Sequence, residues 1–326
     1  MLFIVSTNTN IYFNLAAEEY LLKNRSEDIF MLWRNDPAVV VGKHQNTLRE
    51  VNSFYALAHN IKIARRLSGG GTVYHDSGNL NFTFVKNGEP GKLVDFRKFT
   101  DPVIKALAKM GLETKFEGNN SLTLNGMKIS GNAEHVFKSR VLHHGTLLFS
   151  TEIHHLKEVL KVNQDTYEDK AVKSVRSKVT NISANLNEAM SVEEFQDQIM
   201  QYFTLEFPDC EFYSFKENEL TAINELVEKK YRTWDWIFGW SPKYIFRKRY
   251  IFGNDELNVW LRVEKGIIKE ANVSGGPFNE KSLFDFNLSL KGLPHSFRTI
   301  EDQLIILLND FDRDSLTPEM LKEAFF

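Results

Sequence analysis

Apolar residues recur along this chain with two periods, and the switches between them mark out its elements. Residues 10–24 carry Ile11, Leu15, Tyr20, Leu21 and Leu22 with Glu18 and Glu19 between them, which predicts an amphipathic helix. Ile29–Trp33 and Ala38–Val41 are short apolar runs bounded by Asn35-Asp36-Pro37 and Gly42, and they read as paired strands. Residues 52–60 predict a helix. Ile61, Ile63 and Ala64 then lead into three consecutive glycines, and Leu80, Phe82 and Phe84 alternate beyond them. Thr100-Asp101-Pro102 opens a helix that stops at Gly111. Ser121-Leu122-Thr123-Leu124, the pair Asn125-Gly126 and residues 127–131 predict a hairpin, because Asn-Gly favours a type I′ turn. Residues 140–149 alternate around His143-His144-Gly145 and predict a further strand. Ser191 with Glu194, and Ser214 with Glu217, match capping boxes ahead of helices ending near Phe207 and Tyr231.

Composition shifts after Trp234-Asp235-Trp236. Three alternating runs follow, at 244–252, 257–265 and 267–273, and then two helical patterns at 300–308 and 318–325. The expected division is a large domain over 1–243 and a small α+β domain over 244–326. Mixed strands and helices throughout make this an α/β (α+β) chain. Its hydrophobic content of 42% and charged content of 25% are those of a soluble globular protein. A net charge of −3 argues against a nucleic-acid binder. No apolar run reaches bilayer-spanning length, and the N-terminus turns polar too soon for a signal peptide, so the expected location is the cytoplasm, away from membranes. Cys210 is the single cysteine, which excludes an internal disulfide and makes a thiolate metal site a poor expectation.

Four segments carry candidate chemistry. The first is Arg65-Arg66-Leu67-Ser68-Gly69-Gly70-Gly71-Thr72-Val73-Tyr74-His75-Asp76. Glycines without Cβ let backbone N–H groups converge on an anion, and guanidinium groups add donors suited to phosphate or carboxylate. A plain tight connection is the alternative. The second is Gly126-Met127-Lys128-Ile129-Ser130-Gly131-Asn132-Ala133, in which Lys128 is either a cation in a pocket or an edge-strand guard. The third is the His143-His144 pair, whose members face opposite sides of a strand, so at most one lines a given pocket. The fourth, residues 170–181, holds Lys170, Lys173, Arg176 and Lys178 among small hydroxylated residues. It is either a solvated loop or a strap that closes over a polyphosphate. No Walker loop, dinucleotide fingerprint or nucleophile elbow occurs, and Cys210 between Asp209 and Glu211 is a poor nucleophile.

Taken in order, these segments resemble the lipoate–protein ligases of the biotin/lipoate ligase superfamily. The likeness runs from Asn14-Leu15-Ala16-Ala17-Glu18-Glu19 through Gly42-Lys43-His44-Gln45-Asn46 to Trp234-Asp235-Trp236. It implies a mixed-sheet catalytic domain like those of class II aminoacyl-tRNA synthetases and biotin ligases. It also implies a two-step reaction: lipoate and Mg²⁺-ATP give lipoyl-AMP, and a lysine of an apo lipoyl domain then takes the acyl group. The implied acceptors are E2 subunits of 2-oxoacid dehydrogenases or the H protein of glycine cleavage. By the same resemblance Lys128 is the catalytic residue, and Arg66, Ser68, Gly71, His75 and His144 border the lipoyl group. Gly69, Gly70, Gly71, Val73, Tyr74, Asn79 and Lys128, with Lys173, Ser174, Val175, Arg176 and Thr180 of the strap, contact the adenylate. The family's Gly-Arg-Asn-Asp reads Gly118-Asn119-Asn120-Ser121 here, and its acidic aromatic turn in the C-terminal domain reads Ser274-Gly275-Gly276-Pro277-Phe278. Metal ligands are left unassigned. A transferase taking lipoyl or octanoyl groups from a preformed donor, and a non-catalytic binder, are the competing readings.

Overall fold

The computed structural model describes residues 1–88, 93–309 and 316–326. They form two compact units, the first made of 1–43, 51–161 and 173–233, the second of 44–50, 162–172 and 234–326. The longest segment of the second unit begins at Trp234, and the unit also takes in two short segments from earlier in the chain. Packing explains this: Leu48 and Tyr167 join the apolar cluster of Phe246, Leu261 and Phe325, and Arg49 pairs with buried Asp169 at 2.7 Å.

The first unit is built on an eight-stranded mixed sheet. Its order is Glu211–Phe212, Leu2–Val5, Ile29–Trp33, Asn79–Asn87, Arg140–Leu148, Met127–Phe137, Ser121–Leu124 and Thr114–Glu117. Leu2–Val5 runs parallel to both neighbours, and the other pairings are antiparallel. Alternation along Asn79–Asn87 separates two faces. Leu80, Phe82 and Phe84 pack against helices Phe96–Lys109 and Val192–Glu206 through Phe99, Phe195 and Phe203. Asn79, Asn81 and Thr83 point the other way, where Thr83 Oγ1 donates to Glu18 of helix Ile11–Asn24 at 2.6 Å.

That helix departs from expectation, because Glu18 and Glu19 are buried. Burying carboxylates is costly unless they are paired. Glu19 receives Lys23, Lys230 and the Tyr231 hydroxyl at 2.5, 2.7 and 2.7 Å. The strands Ile29–Trp33 and Ala38–Val41 both form, but not as a pair. Ala38–Val41 centres a separate three-stranded sheet, parallel to Lys62–Arg65 and antiparallel to Val73–His75. The intervening backbone bonds elsewhere, Asp36 N–H to Thr9 O and Pro37 O to Lys62 N–H, so no hairpin closes.

The Asn125-Gly126 turn forms with φ of 52° and 72°, as a type I′ turn requires. The helix expected from Thr100 begins earlier, at Phe96. Asp95 caps it by accepting from Lys98 N–H at 3.2 Å, and Pro102 lies inside. Ser191 and Glu194 make their capping box. The Ser214–Glu217 box does not form, since the N-cap of helix Glu217–Leu226 is Lys216, whose N–H donates to Glu219 at 2.9 Å.

The second unit carries a four-stranded antiparallel sheet, Tyr167–Asp169, Tyr244–Phe252, Asp255–Glu264 and Ile267–Gly275. Helices Glu280–Leu290, Phe297–Asn309 and Pro318–Lys322 accompany it, and the first of these was not expected. Among the described residues no helix is long and apolar enough to cross a membrane.

Candidate active site

The glycine run connects strands Lys62–Arg65 and Val73–His75 in the first unit. Of the three glycines only Gly70 takes a left-handed conformation, with φ of 83°. Gly42 packs so tightly on this bend that a Cβ there would lie 2.2 Å from Gly70 O. Arg66 braces the bend from inside. Its guanidinium donates to Val40 O at 3.0 Å and to Gly69 O and Gly71 O at 2.6 Å each. Burial lowers its pKa to about 10, against the field of Glu18, so it stays a cation at neutral pH. Arg65 has a different fate from the one expected. It is fully buried and donates to Gly42 O and Lys43 O, so its guanidinium supports the bend's neighbours.

Behind the bend runs a polar chain. Arg66 Nε donates to Ser68 Oγ at 3.0 Å, and Ser68 Oγ lies 2.6 Å from His144 Nε2. His144 Nδ1 lies 2.9 and 3.0 Å from the two Glu18 oxygens. Every donor is satisfied if Ser68 donates to Nε2 and Nδ1–H donates to Glu18. This Ser–His–Glu order is that of a hydrolytic triad, yet Ser68 is fully buried and already accepts from a guanidinium, so it serves as a brace.

His75 is fixed from the other side. Asn35 Oδ1 accepts from Asn14, which turns Asn35 Nδ2 toward His75 Nδ1 at 2.9 Å and leaves the ring hydrogen on Nε2. That Nε2 and Asn79 Oδ1 are buried polar atoms without a hydrogen-bond partner. Burial, then Arg66 and His144, push the His75 pKa down to about 3, so the imidazole is neutral.

Lys128 sits on strand Met127–Phe137 and folds over Gly131, where a Cβ would lie 3.3 Å from its Nζ. Ala133 of the same strand approaches Gly70. Burial, and next the Arg66 charge, lower the Lys128 pKa, so lysine and bend share one electrostatic environment. The amine borders an open cavity of about 260 Å³ lined also by Glu117, Gly118, Ser121, Thr123 and Lys178. The basic segment reaches both partners. Ser174 Oγ accepts from Thr72 N–H at 2.9 Å. Lys128 N–H donates to Lys178 O at 2.8 Å, and Thr180 N–H donates to Lys128 O at 3.1 Å.

The structure therefore brings together Arg66, Ser68, Gly69, Gly70, Gly71, His144, Lys128, Ser174 and Thr180. His75 joins them electrostatically, and Asn79 lies on the same sheet face as Thr83. Val73 pairs with Val40 beside the bend. Lys173, Val175 and Arg176 are exposed on the strap. The Tyr74 ring is committed elsewhere, packed with Val39, Val41 and Val159. Glu18, Asn35 and Thr83 were not among the expected site residues. Glu18 had a signal, since it shares the helical stripe of Ile11, Leu15 and Leu22.

A cation-braced glycine bend beside a half-buried lysine is an arrangement suited to an enzyme that handles anions. Residues 10–204 match the family "Lipoyl protein ligase A/B catalytic domain", and the chain belongs to that family. It is 39% identical over 307 residues to lipoate–protein ligase 1 of Staphylococcus aureus, covering 93% of each chain. Among solved structures it resembles LipL1 of P. falciparum in complex with lipoate, with TM-score 0.63, 26% identity and coverage of 96% of this chain and 95% of that one. It also resembles a lipoate–protein ligase A bound with ATP, with TM-score 0.62, 27% identity and coverage of 73% and 98%.

Proposed function

We propose that this protein is an ATP-dependent lipoate–protein ligase. The observation that carries the reading is the shared setting of the Arg66-braced bend and the Lys128 amine, with one basic strap bonded to both. Bringing a carboxylate against a phosphate needs fixed positive charge and preorganised donors more than a side-chain nucleophile. In the first step a lipoate carboxylate oxygen attacks the α-phosphorus of ATP. The bond to the bridging oxygen breaks, and pyrophosphate leaves with that oxygen. In the second, the ε-amine of an acceptor lysine attacks the acyl carbon, AMP departs and the amine loses a proton.

Lys128 offsets negative charge in both steps, first at the acid oxygen and then at the phosphate. Arg66 contributes its charge, while most of its donors hold the bend. The strap, with Lys173, Ser174, Val175, Arg176 and Thr180, covers the adenylate and keeps water from it. Ser68, Gly71, His144 and His75 border the lipoyl group, with the His75 Nε2–H free to donate to a ligand. Gly69, Gly70, Val73, Asn79 and the Tyr74 backbone lie on the nucleotide side.

Among the described residues no group of three or more His, Cys, Asp or Glu could hold a metal ion. The cavity beside Lys128 offers one carboxylate, Glu117. Mg²⁺ arriving on nucleotide phosphates fits such a site, since it keeps most of its water and phosphate ligands. The acceptors proposed are apo lipoyl domains of E2 subunits or of the glycine-cleavage H protein. Incubating the protein with lipoate, Mg²⁺-ATP and an apo lipoyl domain should add a lipoyl mass to the acceptor only when ATP is present. Transfer from synthetic lipoyl-AMP alone would replace this reading with the preformed-donor transferase, which the carboxylate-free Gly118–Ser121 turn favours.

A further inference from the structure

His143, the neighbour of His144, faces the opposite side of the sheet, where it lies in a buried chain that the chemistry above does not use. Glu134 Oε1 is 2.9 Å from His143 Nδ1, and Asn132 Oδ1 is 3.2 Å from His143 Nε2. Phe99 and Phe82 stack on the imidazole at 4.9 and 6.0 Å. The Asn132 amide has a fixed orientation. Its nitrogen lies 3.1 Å from the backbone oxygen of Asn120, and a carbonyl can only accept, so this atom must be the NH₂ group. The side-chain oxygen therefore faces His143 Nε2, and Nε2 must carry a hydrogen.

This constrains the whole pair. With Nε2–H in place, Nδ1 either accepts from a protonated Glu134 or donates to an ionised one as imidazolium. Both states hold one proton more than a carboxylate beside a neutral imidazole. Remove that proton and a bare nitrogen must face an acceptor, either the Asn132 oxygen at 3.2 Å or the carboxylate at 2.9 Å. Burial favours the uncharged form of each partner. It pushes Glu134 up to about 7, with the Asp95 backbone N–H opposing and the Asp95 charge assisting. Burial and then His144 push His143 well below its usual value. Asp95 at the start of the Phe96–Lys109 helix and His144 on the same strand are the titratable groups acting on the pair; the helix also presents the Phe96 and Phe99 rings and the Asn79–Asn87 strand the Phe82 ring.

Asn132 also makes a reciprocal clasp. Its N–H donates to Asn120 O at 2.8 Å, and Asn120 Nδ2 donates to Asn132 O at 3.0 Å. Asn120 belongs to the turn whose Gly118 and Ser121 line the Lys128 cavity. Asn132 follows Gly131, over which the lysine amine lies. We propose that Glu134 and His143 are positioning residues: by sharing one proton they keep the Asn132 amide turned toward Asn120, and so set the turn and strand that frame Lys128. The consequence for activity rests on the ligase reading; the proton arrangement does not.

Two measurements on the full chain test this. In the ligand-free protein, nitrogen-15 spectra of the histidines should show His143 protonated at Nε2 at pH 6. A single proton should leave as pH rises through about 7, and the Asn132 side-chain NH₂ signals should shift with it. In Glu134→Gln the new amide N–H donates to Nδ1, so Nε2–H should persist to pH 8.5. Pyrophosphate release from lipoate and ATP should fall roughly threefold or more between pH 6.5 and 8.5 in the natural protein, and stay level over that range in Glu134→Gln. An Nδ1–H tautomer at pH 6, or superimposable pH profiles, would overturn the proposal. If no pyrophosphate appears at any pH, the ligase reading fails, and the tautomer spectra still decide this one. The natural protein's own titration decides it too should the variant not fold.

Discussion

The glycine bend and the basic strap supply two halves of one proposed nucleotide grip, and they are made in opposite ways. The bend is interior, held by a buried guanidinium that donates to Val40, Gly69 and Gly71 carbonyls. The strap is largely exposed, with Val175 at 87% exposure, and touches the bend and the lysine strand through a few hydrogen bonds. A preorganised half can stabilise developing charge without rearranging, whereas a lightly held half can open for substrate and product. On the proposed reading, the difference would give rate to one region and access to the other.

Substitutions can break or sharpen that contrast. Lys128→Ala should have the largest effect, lowering adenylate formation by about a thousandfold, as loss of a key electrostatic group does. Far-ultraviolet circular dichroism should remain unchanged; turnover near the natural rate would remove the lysine from its role. Arg66→Ala should cost stability as well as rate. Three backbone carbonyls lose a donor, which is worth about 3 kcal/mol in a urea titration. A variant as stable as the natural protein would show that the bend holds itself.

Acid should act on the interior half. His75 has a folded pKa of about 3 against an ordinary 6.5. Between those values the unfolded chain binds a proton that the folded chain refuses, so stability present above pH 6.5 is lost as pH falls toward 3. The urea midpoint at pH 4.5 should lie below that at pH 7, and less so in His75→Gln. Ser174→Ala should be mildest, removing the acceptor of the Thr72 N–H, a hydrogen bond worth about 1 kcal/mol. We expect a melting temperature lowered by no more than about 4 °C, a several-fold higher KM for ATP and more free lipoate lost from the adenylate by hydrolysis. An unchanged KM would mean that the strap closes without this contact.

Much of this was legible in the chain. The Asn-Gly turn, the Ser191 cap, the strands of the alternating apolar runs and the opposite facing of His143 and His144 follow from local rules. What escaped depended on partners remote in sequence. Glu18 and Glu19 looked like a solvent face because their partners, His144, Lys230 and Tyr231, lie far along the chain. Helix Glu280–Leu290 was missed because buried Leu283, Phe286 and Leu290 are interleaved with exposed Phe284 and Leu288, which blurs the helical period. Pro102 mimicked a helix start because proline favours the first turn, while the true cap, Asp95, sits one turn and more upstream. Ile29–Trp33 and Ala38–Val41 had the right type and the wrong partner, since a hairpin is decided by where the connecting carbonyls and amides bond.

The main chain of Lys128 has both its N–H and its C=O engaged by residues 178 and 180. On the role proposed for Lys128, peeling that segment away would take this main-chain anchorage from the lysine at the moment solvent is admitted. Aim and enclosure would then be one mechanical event, and an uncovered chamber a disarmed one.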